Sequence, residues 1–156
     1  MSKKSAGILL YRINNKKLEV LLVHPGGPFW KNKDEGAWSI PKGEFDDNEK
    51  PLDAALREMK EETGIIVKGD LIELTPVKQK SGKLVYAFAK EYDLDPSQIK
   101  SNEFEMEWPP KSGKKKMFPE IDRAGWFDLE EARKKINQGQ IGLIEELVLK
   151  IKTSDH

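Results

Sequence analysis

The chain has no cysteine, no excess of either charge and no long hydrophobic run. With 0 cysteines in 156 residues, disulfides and thiolate metal sites are excluded, so a metal would need oxygen ligands or one of the 2 histidines. The lack of cysteine also suits a reducing cytosol, and we expect a cytoplasmic protein. No segment approaches the ~18 to 20 apolar residues of a membrane-spanning helix, so no membrane partner is expected.

The charge balance argues against general nucleic-acid binding. The 27 basic and 27 acidic side chains give a net charge of zero, whereas such binders are more often basic, so any contact with RNA should be local. Charged residues make up 35% of the chain and hydrophobic ones 37%, the balance of a soluble globular protein. The short apolar run near the start gives way to Arg12 and Asn14, so it indicates a first strand and not a signal peptide.

Length and periodicity predict a single domain over residues 1–156 with an α/β fold, in which a mixed, curled sheet lies between helices. A hairpin is expected from residues 6–13 and 18–24 around a polar turn. Further strands are predicted over residues 38–43, 65–67, 71–80, 84–92 and 103–108, with a last strand ending near 127. Asp128 should cap one helix, and helical spacing over 140–152 predicts another.

Residues 43–65 form the most informative stretch, an acidic loop that runs into a helix. Pro51 suits the first helical turn and Gly64 suits the residue after the last one, so the helix is expected between them. An apolar stripe at helical spacing should face the core, and it comprises Leu52, Ala55, Leu56 and Met59.

Glu58, Glu61 and Glu62 crowd onto the end of this helix. Positions three and four apart are neighbours, so these carboxylates repel one another at the negative end of the helix dipole. A solvated acidic face is one interpretation. The other is a hard divalent ion, since Mg²⁺ is commonly held by a few carboxylates and completes its shell with substrate phosphates.

The spacing of the whole stretch decides between these interpretations. Its fixed positions are Gly43, then Glu49 after five residues, Arg57-Glu58-Met59 after seven more, and Glu61-Glu62 and Gly64-Ile65 each after one. This pattern resembles the signature of the Nudix hydrolases at every position, and residues 43–65 are called the box below. The resemblance implies the α/β/α sandwich of that family and a Mg²⁺-dependent hydrolase, with Mn²⁺ as the alternative ion, which cleaves a pyrophosphate link in a nucleoside diphosphate derivative.

The resemblance also implies roles for individual residues. The metal ligands would be Glu58, Glu61 and Glu62, joined by the backbone carbonyl of Lys42. Arg57 resembles the arginine that orients the glutamates, with Glu49 as its ion-pair partner. Catalytic residues would then include Arg57, Glu58 and Glu61, with Glu58 as the first candidate for the general base.

A further metal ligand is expected from a more distant segment. In the family, a glutamate a few residues before a tryptophan-containing strand often completes the site, and Glu120 precedes Trp126 in this way. The resemblance therefore makes Glu120 the candidate for a further metal ligand and the second candidate for the base. Sequence position alone does not distinguish Glu120 from Asp122.

Substrate contacts are expected from the loops. Phe29 and Trp30 lie in a loop rich in glycine and proline, where either could stack on a nucleobase or pack the loop onto the core. Lys42 precedes the box glycine and could contact a phosphate. Lys114 belongs to a lysine cluster, with Lys115 and Lys116, that could form a rim attracting phosphates or simply a solvated loop.

These features favour a long, highly charged nucleotide substrate, and we expect a dinucleoside polyphosphate. The alternatives within enzymes are removal of pyrophosphate from an RNA 5′ end and cleavage of a nucleoside triphosphate. A third alternative is a module that senses a nucleotide without cleaving it, although all the box glutamates are present. Both a monomer and a homodimer fit the sequence.

Overall fold

The computed structural model describes residues 3–154. The two terminal residues at each end of the predicted domain, 1–2 and 155–156, lie outside the described residues. Its first feature is a hairpin of β1 (Lys4–Asn14) and β2 (Lys17–Pro25). Asn15 and Lys16 connect the strands with φ of 51° and 66°, and two such left-handed residues match the twist of a tight hairpin turn. The predicted hairpin is therefore confirmed.

A mixed seven-stranded sheet is built around this hairpin. Its other strands are β3 Lys42–Phe45, β4 Ile72–Glu73, β5 Val77–Lys78, β6 Leu84–Glu91 and β9 Ile121–Asp128. The path order is β4-β6-β1-β2-β9, and beside that path β3 pairs with β1 and β5 pairs with β6. The β1–β6 pair is parallel and the remaining pairs are antiparallel. A separate hairpin joins β7 (Glu103–Glu107) to β8 (Lys115–Pro119).

Helices cover both faces of the sheet. The helices are α1 Pro51–Thr63, α2 Leu129–Lys135 and α3 Ile141–Ser154, with 3₁₀ turns at Pro96–Gln98 and Gln138–Gln140. Alternate residues of β1 point to opposite faces, so Ile8 packs with Met59 of α1 while Leu9 packs with Leu147 of α3. The predicted α/β/α arrangement with a curled mixed sheet is confirmed.

The limits of α1 agree with the sequence, and three residues of the expected apolar stripe, Ala55, Leu56 and Met59, pack in the core. Pro51 begins the helix, and Gly64 ends it in the left-handed region with φ of 81°. Leu52, expected in the core, is 38% exposed, whereas Ala54 is fully buried. Leu52 lies in the first turn of α1, whereas Ala54 belongs to the core cluster that contains Ile8 of β1.

Three predicted strands have different bounds or no strand structure. Residues 65–67 form no strand, and Ile65 and Val67 instead pack in the core cluster that contains Met59 of α1. The segment 71–80 divides into β4 and β5, both paired to β6. In the segment 38–43, Trp38 and Ser39 make only isolated bridges, and β3 begins at Lys42. β3 then continues to Phe45, into the acidic stretch after Gly43 that was expected to be loop. Across residues 3–154, no helix is long and apolar enough to cross a bilayer.

Candidate functional site

The corner between β3 and α1 holds the first carboxylate of the candidate site. Glu58 is only 7% exposed although it is charged, and burial raises the pKa of its carboxyl group above the usual value. A Cβ added at Gly43 would lie 1.8 Å from Glu58 Oε2. The carboxylate therefore occupies the space that any side chain at position 43 would need, which explains why glycine stands there.

Arg57 connects the loop before α1 to the acidic end of the helix. Its Nε and Nη2 donate to the two carboxylate oxygens of Glu49 at 2.8 and 2.7 Å. Its Nη1 donates to Glu58 Oε1 at 2.8 Å and to Glu61 Oε2 at 3.1 Å. These hydrogen bonds lower the pKa of Glu49. The planar guanidinium thus contacts all three carboxylates at once, the geometry expected of an orienting residue.

Glu62 meets Glu120, which comes from a segment 58 positions later in the chain. Burial raises the pKa of Glu62 to about 8, and the hydrogen bond and charge of Glu120 act in the same direction. Backbone bonds hold Glu120 in place between β8 and β9, because the N–H of Gly26 donates to its carbonyl at 2.9 Å and its own N–H donates to Asn102 at 2.8 Å. The two carboxyl groups are therefore brought together by the fold.

Glu120 and Asp122, the two candidates from this segment, have different partners in the structure. Asp122 binds Nδ1 of the buried His24 at 2.7 Å, and the other ring nitrogen of His24 lies 2.6 Å from the carbonyl oxygen of Lys33. Glu120 instead faces Glu62. Of the two candidates, only Glu120 joins the box carboxylates.

Lys42 lies among these acids at the start of β3. Burial lowers the pKa of its ammonium group, with a further contribution from Lys83, while the charges of Glu44, Glu62 and Glu58 oppose that change. The half-buried Lys42 lines one cavity with Glu62 and Glu120, where its ammonium group can meet an anionic ligand. The position of Lys42 therefore fits its expected contact with phosphate.

The donor set fits a hard divalent cation. Glu58, Glu62 and Glu120 influence one another electrostatically, and all supply oxygen atoms. Within residues 3–154, no three carboxylates or histidines are already arranged to hold a metal ion. The reason is that Glu58 and Glu61 are hydrogen-bonded to Arg57, while Glu62 is hydrogen-bonded to Glu120. A divalent ion bound between these carboxylates would reduce the repulsion between their negative charges.

A cavity of about 290 Å³ opens next to the carboxylates and contains both polar and apolar groups. It is lined by Val23, Pro25, Trp30, Ala37, Ser39, Ile40, Lys42, Glu62, Gln79, Glu120, Ile121, Asn137 and Gln140. Trp30 is therefore placed against the acidic cluster. Phe29 is 59% exposed and packs edge-on against Trp30 with ring centroids 5.1 Å apart, and the ammonium of Lys33 lies 3.7 Å from the Phe29 centroid.

The lysine cluster lies on the separate hairpin. Lys114 precedes β8, is exposed and does not line the cavity beside the carboxylates. Lys115 forms an ion pair with Glu105 across the hairpin at 3.7 Å. Lys116 lines a neighbouring cavity of about 420 Å³ together with Gly27, Pro28, Lys31, Trp108, Phe118, Pro119 and Asp122. The structure thus brings Lys116, and not Lys114, close to the loop that carries Trp30.

Sequence reasoning missed the amide side chains of the cavity. Gln79, Asn137 and Gln140 come from a turn and from the segment before α3, and no motif or periodicity marks them. Gln140 is 1% exposed. Gln140 stands at the start of a predicted helix, but its burial is what distinguishes it, and burial cannot be read from the sequence.

Comparisons with known proteins agree with this geometry. An RNA pyrophosphohydrolase of Bartonella tribocorum is 34% identical over 108 residues, covering 60% of this chain and 57% of that protein. A bis(5'-nucleosyl)-tetraphosphatase [asymmetrical] of Rattus norvegicus is 31% identical over 110 residues, covering 61% of this chain and 71% of that protein. The chain thus spans little more than half the length of the first of these relatives.

The fold is similar to that of solved proteins as well. The crystal structure of C. elegans Ap4A hydrolase superposes with a TM-score of 0.62 at 23% identity, covering 97% of this chain and 99% of that one. A family model described as the NUDIX domain matches residues 1–147. The chain belongs to the NUDIX domain family.

Proposed function

We propose that this protein is a divalent-metal-dependent pyrophosphohydrolase that cleaves a phosphoanhydride bond of a nucleotide. The observation that carries the proposal is the meeting of Glu62 and Glu120 in one cavity with Lys42 and Trp30. Carboxylates to hold a cation, an ammonium group for phosphate and an aromatic ring for a base are the groups that a nucleotide requires.

Glu58, Glu61, Glu62, Glu120 and the carbonyl of Lys42 would hold the metal, with Mg²⁺ the favoured ion and Mn²⁺ the alternative. When bound, the ion would neutralise the diphosphate and favour ionisation of water. Glu61 now binds Arg57 and is about half exposed, so it would have to turn from Arg57 to join the others. Glu58 and Glu62 lie deeper and need less movement.

The remaining residues would position substrate and move a proton. Arg57 holds Glu58 through Oε1, which leaves the orientation of the carboxylate defined. Glu58 is our first choice for the group that takes a proton from the attacking water, because burial has already raised its affinity for a proton, as seen in its pKa. Glu120 is the second choice. Lys42 would contact the phosphate beside the cleaved bond.

A dinucleoside polyphosphate is the substrate that we favour. Such a ligand carries several negative charges between two bases, so Trp30 could stack on one base while the exposed lysines of the β7–β8 hairpin attract the distal part. The names of the rat relative and of the C. elegans structure agree with this choice. A compact nucleoside triphosphate would not reach those lysines.

Removal of pyrophosphate from an RNA 5′ end is the second candidate. The name of the Bartonella relative supports it, and the neighbouring cavity with Lys116 offers room beyond the first nucleotide. The zero net charge disfavours extended RNA contact.

A product-mass screen tests the proposal. Dinucleoside polyphosphates, nucleoside triphosphates, a 5′-triphosphorylated RNA and nucleotide sugars are incubated with the protein in Mg²⁺, in Mn²⁺ and in EDTA. We expect metal-dependent cleavage, with the highest kcat/KM for a dinucleoside polyphosphate. Binding of a nucleotide without turnover of any compound would support a sensing module instead.

A further inference from the structure

The β7–β8 hairpin carries different kinds of side chain on its two faces. Residues directly opposite each other in an antiparallel pair point to the same face. The register pairs Phe104 with Phe118 and Met106 with Lys116, and the bond from the N–H of Trp108 to the carbonyl of Lys114, at 2.8 Å, continues it. One face therefore presents Phe104, Met106, Trp108, Lys114, Lys116 and Phe118, and the other presents Glu103, Glu105, Glu107, Lys115 and Met117. The aromatic rings share their face with two lysines and with none of the glutamates.

The aromatic face of the hairpin packs against the loop that carries Trp30. A Cβ built on Gly27 would lie 3.0 Å from a ring carbon of Phe104, and one built on Gly26 would lie 1.9 Å from the carbonyl oxygen of Pro119. The loop and the hairpin are therefore in close contact at their base. Beside this contact lies the cavity of about 420 Å³ described above, here called the hairpin cavity, which is lined by Gly27, Pro28, Lys31, Trp108, Lys116, Phe118, Pro119 and Asp122.

The hairpin cavity adjoins the cavity that contains Glu62 and Glu120, here called the carboxylate cavity. Trp30 lines the carboxylate cavity and the next residue, Lys31, lines the hairpin cavity. Glu120 lines the carboxylate cavity in the same way, and its neighbour Pro119 lines the other. The two cavities thus have two chain segments in common as walls. The part of a long ligand that the carboxylate cavity does not hold can enter the hairpin cavity.

The charges of the hairpin cavity suit an anion. Its two lysines, Lys31 and Lys116, form no ion pair or hydrogen bond with any residue of the described range 3–154. The carboxylate of Asp122 is already engaged, since it lies 2.7 Å from Nδ1 of the buried His24 and 3.7 Å from Nε of Arg123. Both lysines are exposed and can therefore turn their ammonium groups toward a ligand.

We infer that the hairpin cavity binds the second nucleoside of a dinucleoside polyphosphate, with Trp108 stacking on its base and Lys31 and Lys116 contacting the adjoining phosphates. Aromatic side chains stack on bases of any sequence, and lysine binds phosphate as a point charge. An apolar ligand would leave the lysines without a partner, and free phosphate would not use the rings, whereas a nucleotide uses both. The inference rests on the proposed function, because it names the site for the second half of that substrate.

The test compares diadenosine tetraphosphate with adenosine 5′-tetraphosphate. Both compounds contain one adenosine and the same length of phosphate chain, and they differ by the second adenosine. We expect kcat/KM in Mg²⁺ to be at least about tenfold higher for the dinucleotide, because only the dinucleotide has a base for Trp108. Equal kcat/KM for the two compounds would overturn the inference.

Trp108→Leu removes the stacking surface and keeps an apolar side chain. It should lower kcat/KM for the dinucleotide by about tenfold and leave that for adenosine tetraphosphate unchanged, which also shows that the fold and the metal site are intact. Met117→Ala is the control on the opposite face of the same hairpin, where Met117 is 55% exposed, and it should change neither value. An equal loss for both compounds, or no loss for either, would refute stacking on Trp108.

The double variant Lys31→Gln with Lys116→Gln examines the phosphate contacts. It should raise KM for both tetraphosphate compounds by about three- to tenfold, with a smaller effect at high salt, because both carry the outer phosphates. The Kd of adenosine diphosphate, which lacks those phosphates, should stay unchanged. Lys68→Gln is the control, since Lys68 is exposed and lines neither cavity. An unchanged KM for the tetraphosphates would exclude the two lysines from the site.

Failure of this inference and failure of the proposed function give different results. Cleavage of both tetraphosphates with equal kcat/KM leaves the hydrolase standing and overturns the second-nucleoside site. If neither compound is cleaved, the proposed function fails, and calorimetry examines the site alone. The parent should then bind the dinucleotide more tightly than adenosine tetraphosphate, and Trp108→Leu should abolish that difference. Equal affinities of the parent for both compounds would overturn the inference.

Discussion

The surroundings of Glu62 favour the protonated form of its carboxyl group over the ionised form. Burial and the neighbouring Glu120 raise its pKa to about 8. An unfolded chain would ionise the same group near the ordinary value of about 4.3. The metal-free protein therefore loses the stability contributed by neutral Glu62 as pH rises toward 8, while that contribution is complete below about pH 4.

We expect Glu62→Gln to lower turnover by orders of magnitude while stabilising the metal-free protein at alkaline pH. Glutamine stays neutral, so its advantage over the parent should grow from pH 5 to pH 8.5 and reach a Tm increase of at least about 3 °C. Thermal unfolding in EDTA across this range measures the effect. Glu61→Gln is the matched comparison: it should also lose activity, but it is about half exposed and should show no such pH-dependent gain. Wild-type turnover in both variants would contradict the proposed metal site.

Arg57 donates hydrogen bonds to three carboxylates through its planar guanidinium group, which lysine lacks. We expect Arg57→Lys to lower kcat about 10- to 100-fold and to weaken metal affinity, because partners that orient metal ligands usually matter to that degree. The measurement is kcat as a function of Mg²⁺ concentration.

Arg133→Lys provides the control for the same exchange. Arg133 makes a similar two-pronged contact with Glu145, at 2.6 and 3.4 Å, between α2 and α3. It should retain full activity. If Arg57→Lys behaves like this control, Arg57 does not orient the glutamates.

At the scale of elements, the site depends on how closely β3 packs on α1. β3 is only four residues long and pairs with β1 from Lys42 to Phe45. Gly43 contacts the carboxylate of Glu58 directly, so the backbone of the strand forms one wall of the carboxylate's position. The strand therefore sets the geometry of the helix end as well as the position of Lys42.

We expect Gly43→Ala to destabilise the fold by about 1–3 kcal/mol and to reduce activity, because the new methyl group would overlap Glu58. In a double-mutant cycle, Glu58→Ala should remove most of that stability loss, since it removes the overlapping carboxylate. Denaturant unfolding measures each free energy. Gly142→Ala is the control, because a Cβ there makes an ordinary 3.4 Å contact with Val77. Additive effects of the Gly43 and Glu58 changes would show that the contact is not the cause.

At the scale of the whole molecule, two cavities flank the loop that carries Trp30. One contains the carboxylates and the amides, and the other contains Lys31, Trp108 and Lys116. The β7–β8 hairpin lies outside the main sheet and is joined to the site through the backbone bonds of Glu120. A ligand longer than one nucleotide would thus pass from the main sheet onto the hairpin.

We expect alanine at Lys114, Lys115 and Lys116 together to raise KM for a dinucleoside polyphosphate more than it changes kcat, since binding and not transition-state contact is lost. The difference from the parent should shrink at high salt, because exposed charges are screened over ~8 to 10 Å. Steady-state kinetics at two ionic strengths measure this. A nucleoside triphosphate serves as the internal control and should be nearly unaffected. An unchanged KM for the dinucleotide would exclude the hairpin from substrate attraction.

Local features of the fold were determined by the sequence itself. Pro51 and Gly64 set the ends of α1, Asp128 caps α2 by accepting the N–H of Glu131, and the turn at Asn15 closes the hairpin. Each depends on a residue and its near neighbours, so the interactions are short in sequence and readable from it. The spacing of the box likewise identified the family from residues on one helix and its loop.

Tertiary structure decided the features that need distant segments to meet. Residues 65–67 have strand-forming side chains but form no strand, and Leu52 fits the helical stripe but is 38% exposed. The meeting of Glu62 with Glu120, and of Gln79 with Gln140, joins positions 58 and 61 residues apart. Such contacts depend on strand order and sheet curvature, which local propensity does not contain.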